Sequence, residues 1–139
     1  MKGYWNDPEL TDSVLKDGWL TLSDIGYMDN EGYVYLIGRD GDVINTGGYK
    51  VDPNEIEEIT LEIDDVAECA CIPVPDDLLV NVPKLFVVMK KDAEFSAQKI
   101  YKHLTIKLEA YKLPRAIESL ESLPRTDGNM KVNKKELRY

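Results

Sequence analysis

Apolar positions along this chain follow two periods in turn. The run from Gly18 to Met28, with Trp19, Leu20, Leu22, Ile25 and Tyr27, reads as a strand. Asp29-Asn30-Glu31-Gly32 is turn chemistry, and Tyr33 to Gly38 reads as the return strand of a hairpin. The period then lengthens: Ile56, Ile59 and Ile63 recur at helical spacing. Asp52 can cap that helix, Pro53 fits its first position, and Glu55 completes a capping box, so a helix is predicted from Asp52 to about Ile63. Val66 to Val74 reads as a strand that ends at Pro73 and Pro75. Asp76 to Val82 reads as a loop, and Leu85 to Met89 as a short buried strand. Ile100, Leu104 and Leu108 share one face of a helix from Ser96 to about Ala110, which Leu113-Pro114 breaks. Arg115 to Leu123 is a further strand. Pro8, capped by Asn6 or Asp7, and Asn133 with Glu136 each start a short helical turn. Strands and helices that alternate in this way predict an α+β fold: a small sheet flanked by helices, preceded by a β-hairpin.

Composition narrows what such a fold can do. The chain has 139 residues, 43% of them hydrophobic, enough for one domain with an appendage. It carries 17 basic and 26 acidic side chains, a formal net charge of −9, which argues against nucleic acid or an anionic membrane as a partner. No apolar run has the length of a membrane span and no signal-peptide pattern opens the sequence, so a cytoplasmic protein is expected. Cys69 and Cys71 lie two apart on a strand and point to one face, a poor geometry for a disulfide and too few ligands for zinc. They are expected to be buried reduced thiols. His103 is the only histidine, which excludes a histidine-based metal centre or triad; no metal site is expected.

Candidate chemistry concentrates between Gly38 and Glu57. Gly38 and Gly41 bracket an Arg-Asp pair, and Gly47 and Gly48 are adjacent. Glycine is used where φ must be positive or where something approaches the backbone closely. On the residues alone this is a joint, a Gly-Gly loop and a capped helix, as in a surface hairpin feeding an amphipathic helix. As a whole string it resembles the adenylate-forming enzymes, in particular the AMP-forming acyl-CoA synthetases. Their signature is similar to Gly-Arg-x-Asp-Asp-x-Ile-x-x-Gly-Gly-x-x-Ile-x-Pro-x-Glu-Ile-Glu. Here it reads Gly38-Arg39, Asp42, Ile44, Gly47-Gly48, Val51, Pro53 and Glu55-Ile56-Glu57. The tail, Leu123-Pro124-Arg125-Thr126 and onward, resembles the family's Leu-Pro-Arg-Thr-x-x-Gly-Lys-Val-x-Arg-Lys-x-Leu ending. It has five basic and two acidic residues from Arg125 to Tyr139, and Met130 stands where the family has Gly before the lysine.

The resemblance implies roles residue by residue. Lys131 matches the lysine that reaches the carboxylate and α-phosphate during adenylation, with Lys134 and Lys135 as alternatives. Asp24, preceded by Ser23 where the family has Gly, matches the aspartate that holds the ribose hydroxyls of ATP. Arg39 matches the arginine that also contacts the nucleotide. Gly47 and Gly48 match the loop brought to the pantetheine thiol of coenzyme A. Asp40 and Gly41 fall at the family's hinge. Residues 1–39 then resemble the end of the N-terminal adenylation domain, and 40–139 the mobile C-terminal domain. The phosphate loop and acyl pocket belong to the large N-terminal domain, which also supplies most of the binding for ATP with Mg2+. The implied function is the C-terminal part of an AMP-forming acid–CoA ligase such as a fatty-acid ligase, inactive by itself. The alternatives are a peptide-synthetase or carrier-protein-loading adenylation domain, whose thiol sits on a carrier arm, and a free-standing docking module.

Overall fold

The computed structural model describes residues 1–139 except Asp40, Asp127, Asn129 and Tyr139. Contacts divide the chain into two compact units, Met1–Gly41 and Asp42–Tyr139.

In the first unit, helix α1 spans Pro8–Val14, with Pro8 at its start and the Asp7 carboxylate accepting from the Leu10 N–H at 2.9 Å. Strands β1 (Leu15–Lys16) and β2 (Trp19–Leu20) pair antiparallel about an Asp17-Gly18 turn. Strands β3 (Asp24–Met28) and β4 (Val34–Arg39) form a second antiparallel pair. The Asp29 carboxylate closes that hairpin by accepting from the N–H groups of Glu31 (2.9 Å) and Tyr33 (3.0 Å). These donors, Tyr33 first, hold its pKa below the ordinary value. The expected single strand from Gly18 to Met28 is therefore two: Trp19–Leu20 pairs back onto the segment after α1, and only Asp24 onward pairs with β4.

In the second unit, strands β5 (Ile44–Thr46), β6 (Tyr49–Val51), β7 (Val66–Asp76), β8 (Val80–Met89) and β9 (Ala116–Ser119) form one sheet. Its order is β6-β5-β8-β7, and β9 lies parallel on β8. Helix α2 (Pro53–Leu61) starts as predicted, with the Asp52 carboxylate accepting from the Asn54 N–H at 2.9 Å. Glu55 turns away from the cap and pairs with Lys112 Nζ at 2.8 Å. Helix α3 (Ala97–Lys107) is capped by Ser96. Side-chain alternation sorts the sheet into two faces. Cys71, Leu85 and Val87 meet Ile56 of α2 and Ile100 and Leu104 of α3 in one core. Ala70, Ile72 and Phe86 face the other way, against Leu123 and Leu137 of the C-terminal segment. Both α2 and α3 thus cover one face, and the tail, ending in a 3-10 turn at Glu136–Arg138, covers the other.

The β7–β8 hairpin is longer than its prolines suggested. Pro73 and Pro83 lie directly opposite one another in the ladder. The Pro83 carbonyl accepts from the Arg115 N–H at 2.8 Å, on the side away from β7. Backbone polar groups that point away from the partner mark a non-hydrogen-bonded pair, where neither proline's missing N–H breaks a ladder bond.

Candidate functional site

Asp24 and Arg39 are register partners across β3–β4, and their side chains meet at 3.5 Å (Oδ1 to Nε). Both are accessible, at 39% and 71% side-chain exposure. An exposed pair of this kind contributes about 0–1 kcal/mol, so the fold has little need of it. What it offers is a carboxylate acceptor and a guanidinium donor side by side at the end of a strand. Asp40 lies outside the described residues; Gly41 is the last residue of the first unit, with open space where a Cβ would stand.

Gly47 and Gly48 form the two-residue turn between β5 and β6, since Thr46 pairs with Tyr49. Their φ angles are +55° and +91°, the pattern of a type I′ turn, which selects glycine at both positions. The Gly47 N–H donates to the Leu79 carbonyl at 2.9 Å, tying this turn to the one between β7 and β8. That second turn is braced by Asp76, which accepts from the Leu78 and Leu79 N–H groups, both at 3.0 Å, and from Arg115 Nη2 at 3.1 Å. The Leu78 N–H leads the causes that hold the Asp76 carboxyl below its usual pKa. Val80, just after, has φ +70°, an outlier for a β-branched residue.

Beside Gly47 opens a cavity of about 500 Å³, lined also by Thr46, Tyr49, Leu79, Tyr101, Tyr111 and Arg115. Tyr49 and Tyr111 stack, with ring centroids 4.6 Å apart. Lys112, held by Glu55 and Glu109 at 2.8 and 2.9 Å, fixes the segment bearing Tyr111. Thr46 is 5% exposed, and its Oγ1 has no hydrogen-bond partner among the described residues. A buried hydroxyl left unpaired carries a desolvation cost. Aromatic and apolar walls and one guanidinium suit a ligand that is part apolar or planar and part anionic.

Lys131 sits on a loop closed by an antiparallel bridge between Arg125 and Val132. Its carbonyl accepts from the Thr126 N–H at 2.8 Å, and Arg125 Nη1 donates to the Met130 carbonyl at 2.8 Å. Met130 has φ +57°, the conformation for which the family's Gly at this place is suited. Lys131 is exposed and does not line the cavity beside Gly47. Lys134 Nζ lies 2.7 Å from Glu57 Oε1 in a half-buried pair, while Lys135 is exposed.

Comparison with known proteins agrees with this architecture. Residues 55–128 match the AMP-binding enzyme C-terminal domain, and the chain belongs to that family. A long-chain-fatty-acid–CoA ligase of Bacillus subtilis is 43% identical over 126 residues, 91% of this chain and 22% of the ligase. The o-succinylbenzoate CoA synthetase of Bacillus subtilis, solved with an acyl-adenylate intermediate, superposes with TM-score 0.88 at 32% identity. It covers 100% of this chain, which matches 28% of that structure. ATP-bound MatB of Rhodopseudomonas palustris gives TM-score 0.83 at 34% identity, over 99% of this chain and 27% of its own. The chain thus spans about a quarter of the length of the relatives it matches.

The cavity walls were not legible in sequence. Tyr49, Leu79, Tyr101, Tyr111 and Arg115 come from separate elements that only the folded sheet and α3 bring together. Thr46, adjacent to the glycines, was the one available signal.

Proposed function

We propose that this chain is the C-terminal part of an AMP-forming acid–CoA ligase, with residues 1–39 closing the adenylation domain and 40–139 forming the mobile domain. Asp40 and Gly41 make the hinge. The observation that carries this reading is the cavity at the Gly47 turn, in a chain whose relatives are named as CoA ligases. In the first half-reaction the acid's carboxylate attacks the α-phosphorus of ATP and pyrophosphate leaves. The Lys131 ammonium stabilises charge on the transferring oxygens, while Asp24 accepts from the ribose hydroxyls and Arg39 supports the nucleotide. Mg2+ enters with ATP on the larger domain; among the described residues no group of three or more His, Cys, Asp or Glu side chains could hold it. In the second half-reaction the pantetheine thiol of coenzyme A attacks the acyl-adenylate and AMP leaves. Gly47 and Gly48 leave room for that thin arm, and the adjoining cavity receives the anionic end of coenzyme A. A long-chain acid is the substrate we favour, from the ligase of Bacillus subtilis. Free Cys69 and Cys71 suit a reducing compartment, and we place the protein in the cytoplasm.

The test is acid-dependent pyrophosphate release by the complete protein, followed by AMP release on adding coenzyme A. Adenylation with thiol transfer to a carrier protein but not to coenzyme A would favour the carrier-loading class. No adenylation of any acid would leave only a docking role.

A further inference from the structure

We propose that Glu57 is a positioning residue for the adenylation lysine: through Lys134 it holds the loop that carries Lys131 against the body of the domain. The proposal rests on the reading of Lys131 given above. Glu57 projects from α2, and its Oε1 accepts from two donors, the Cys71 N–H of β7 and Lys134 Nζ, both at 2.7 Å. Both side chains are largely buried, at 18% and 22% exposure. A carboxylate this far from water must be partnered, and its first partner is the fixed backbone of a sheet strand. Glu57 is therefore immobile, and Lys134 must come to it.

Lys134 lies three residues from Lys131, at most about 10 Å of extended chain. The other ties around Lys131 include two kinds. The Arg125–Val132 bridge, the Thr126 N–H to Lys131 carbonyl bond and the Asn133 N–H to Pro124 carbonyl bond (2.7 Å) set the shape of the loop. None of these three binds it to the sheet and helices. Contacts that do so include Arg125 with Glu68, Leu123, Val132 and Leu137 against the core, and Lys134 with Glu57. The Arg125–Glu68 pair is the more exposed, at 37% and 41%, and exposed pairs hold weakly. Leu123, Val132 and Leu137 are held by apolar burial, which has no direction. The half-buried, doubly bonded Glu57 gives the approach of the loop a directional anchor. Displacement of a catalytic group by about 1 Å can cost 10²-fold in rate.

The experiment uses the complete ligase and measures the two half-reactions separately, in Lys134→Ala, Lys134→Arg, Glu57→Gln and Lys131→Ala, with a thermal melt of each. Lys134→Ala and Glu57→Gln should slow adenylation about 10–100-fold, and leave thioester formation from supplied acyl-adenylate within about threefold. Lys134→Arg, which keeps a cation within reach of Glu57, should recover most of the adenylation rate. A merely structural role would lower both half-reactions together. If Glu57→Gln does not fold, the two Lys134 variants decide. Adenylation unchanged in Lys134→Ala, or equal loss in both half-reactions in a folded protein, overturns the proposal. If Lys131→Ala abolishes adenylation and Lys134→Ala does not, only the anchoring is wrong. If Lys131→Ala leaves adenylation intact, the reading of Lys131 fails and the anchoring fails with it.

Discussion

Replacing Gly48 separates backbone geometry from ligand passage at the Gly-Gly turn. Gly48 has φ +91°, and a Cβ built there meets nothing within 4 Å. The penalty for a side chain is therefore conformational alone, about 1–2 kcal/mol for an L-residue forced into the left-handed region. In a domain of roughly 100 residues each kcal/mol lowers Tm by about 4–8 °C, so Gly48→Leu should melt about 4–16 °C lower. Gly48→Asn, which tolerates positive φ, should recover much of that loss. At Gly47 a Cβ would also stand 2.9 Å from Leu79 Cδ2, the end of a flexible side chain that can turn aside. The assay follows both half-reactions of the complete protein in single turnover. If the pantetheine arm passes this turn, Gly48→Leu leaves adenylation within a few-fold of the unaltered protein and strongly reduces thioester formation. Equal loss in both would mean that the glycines serve only the turn leading into α2. A Leu variant with unchanged Tm would refute the left-handed geometry itself.

Three further outcomes follow from the same structure. Residues 1–139 alone should release no pyrophosphate with any acid, because two nucleotide contacts without a pocket supply little affinity; acid-dependent turnover by the chain alone would contradict this. Val80→Gly should raise stability by about 0.5–1 kcal/mol, because it relieves a β-branched residue that sits at φ +70° and is 65% exposed; urea unfolding decides it, and a lower midpoint refutes the strain. Burial, and next the nearby Glu57 carboxylate, push the Cys69 thiol up to about 12 and that of Cys71 higher still. The unfolded chain would ionise them near the ordinary 8.5, so their contribution to stability is intact below that pH and is lost as pH rises toward 12. Native protein should accordingly resist iodoacetamide at pH 8, and rapid labelling of both thiols would contradict the burial.

Local signals carried much of the fold. Asp52-Pro53 announced the start of α2 because capping is decided within four residues, and the isoleucines of α2 and the Ile100–Leu104 pair of α3 show their buried faces by spacing alone. Pairing across the chain was less visible. The Gly18–Met28 run divides because Trp19–Leu20 finds its partner upstream, which alternation does not encode. The prolines at 73 and 83 masked a long hairpin because what matters is that they face one another, a property of register rather than of either residue. At the candidate site, motif positions were legible one by one. Their surroundings were not: the Thr46 hydroxyl, the Tyr49–Tyr111 stack and the burial of Glu57 with Lys134 depend on segments dozens of residues apart.

In the proposed function this domain serves adenylation through Lys131 and thioester formation through a different surface. The direct measurement is Lys131→Ala in the complete protein, with pyrophosphate release and thioester formation from preformed acyl-adenylate each followed in single turnover. Adenylation should be slower by about two to four orders of magnitude, with thioester formation within a few-fold of the unaltered enzyme. Adenylation that survives the substitution, or two half-reactions that fall together in a folded protein, would contradict it.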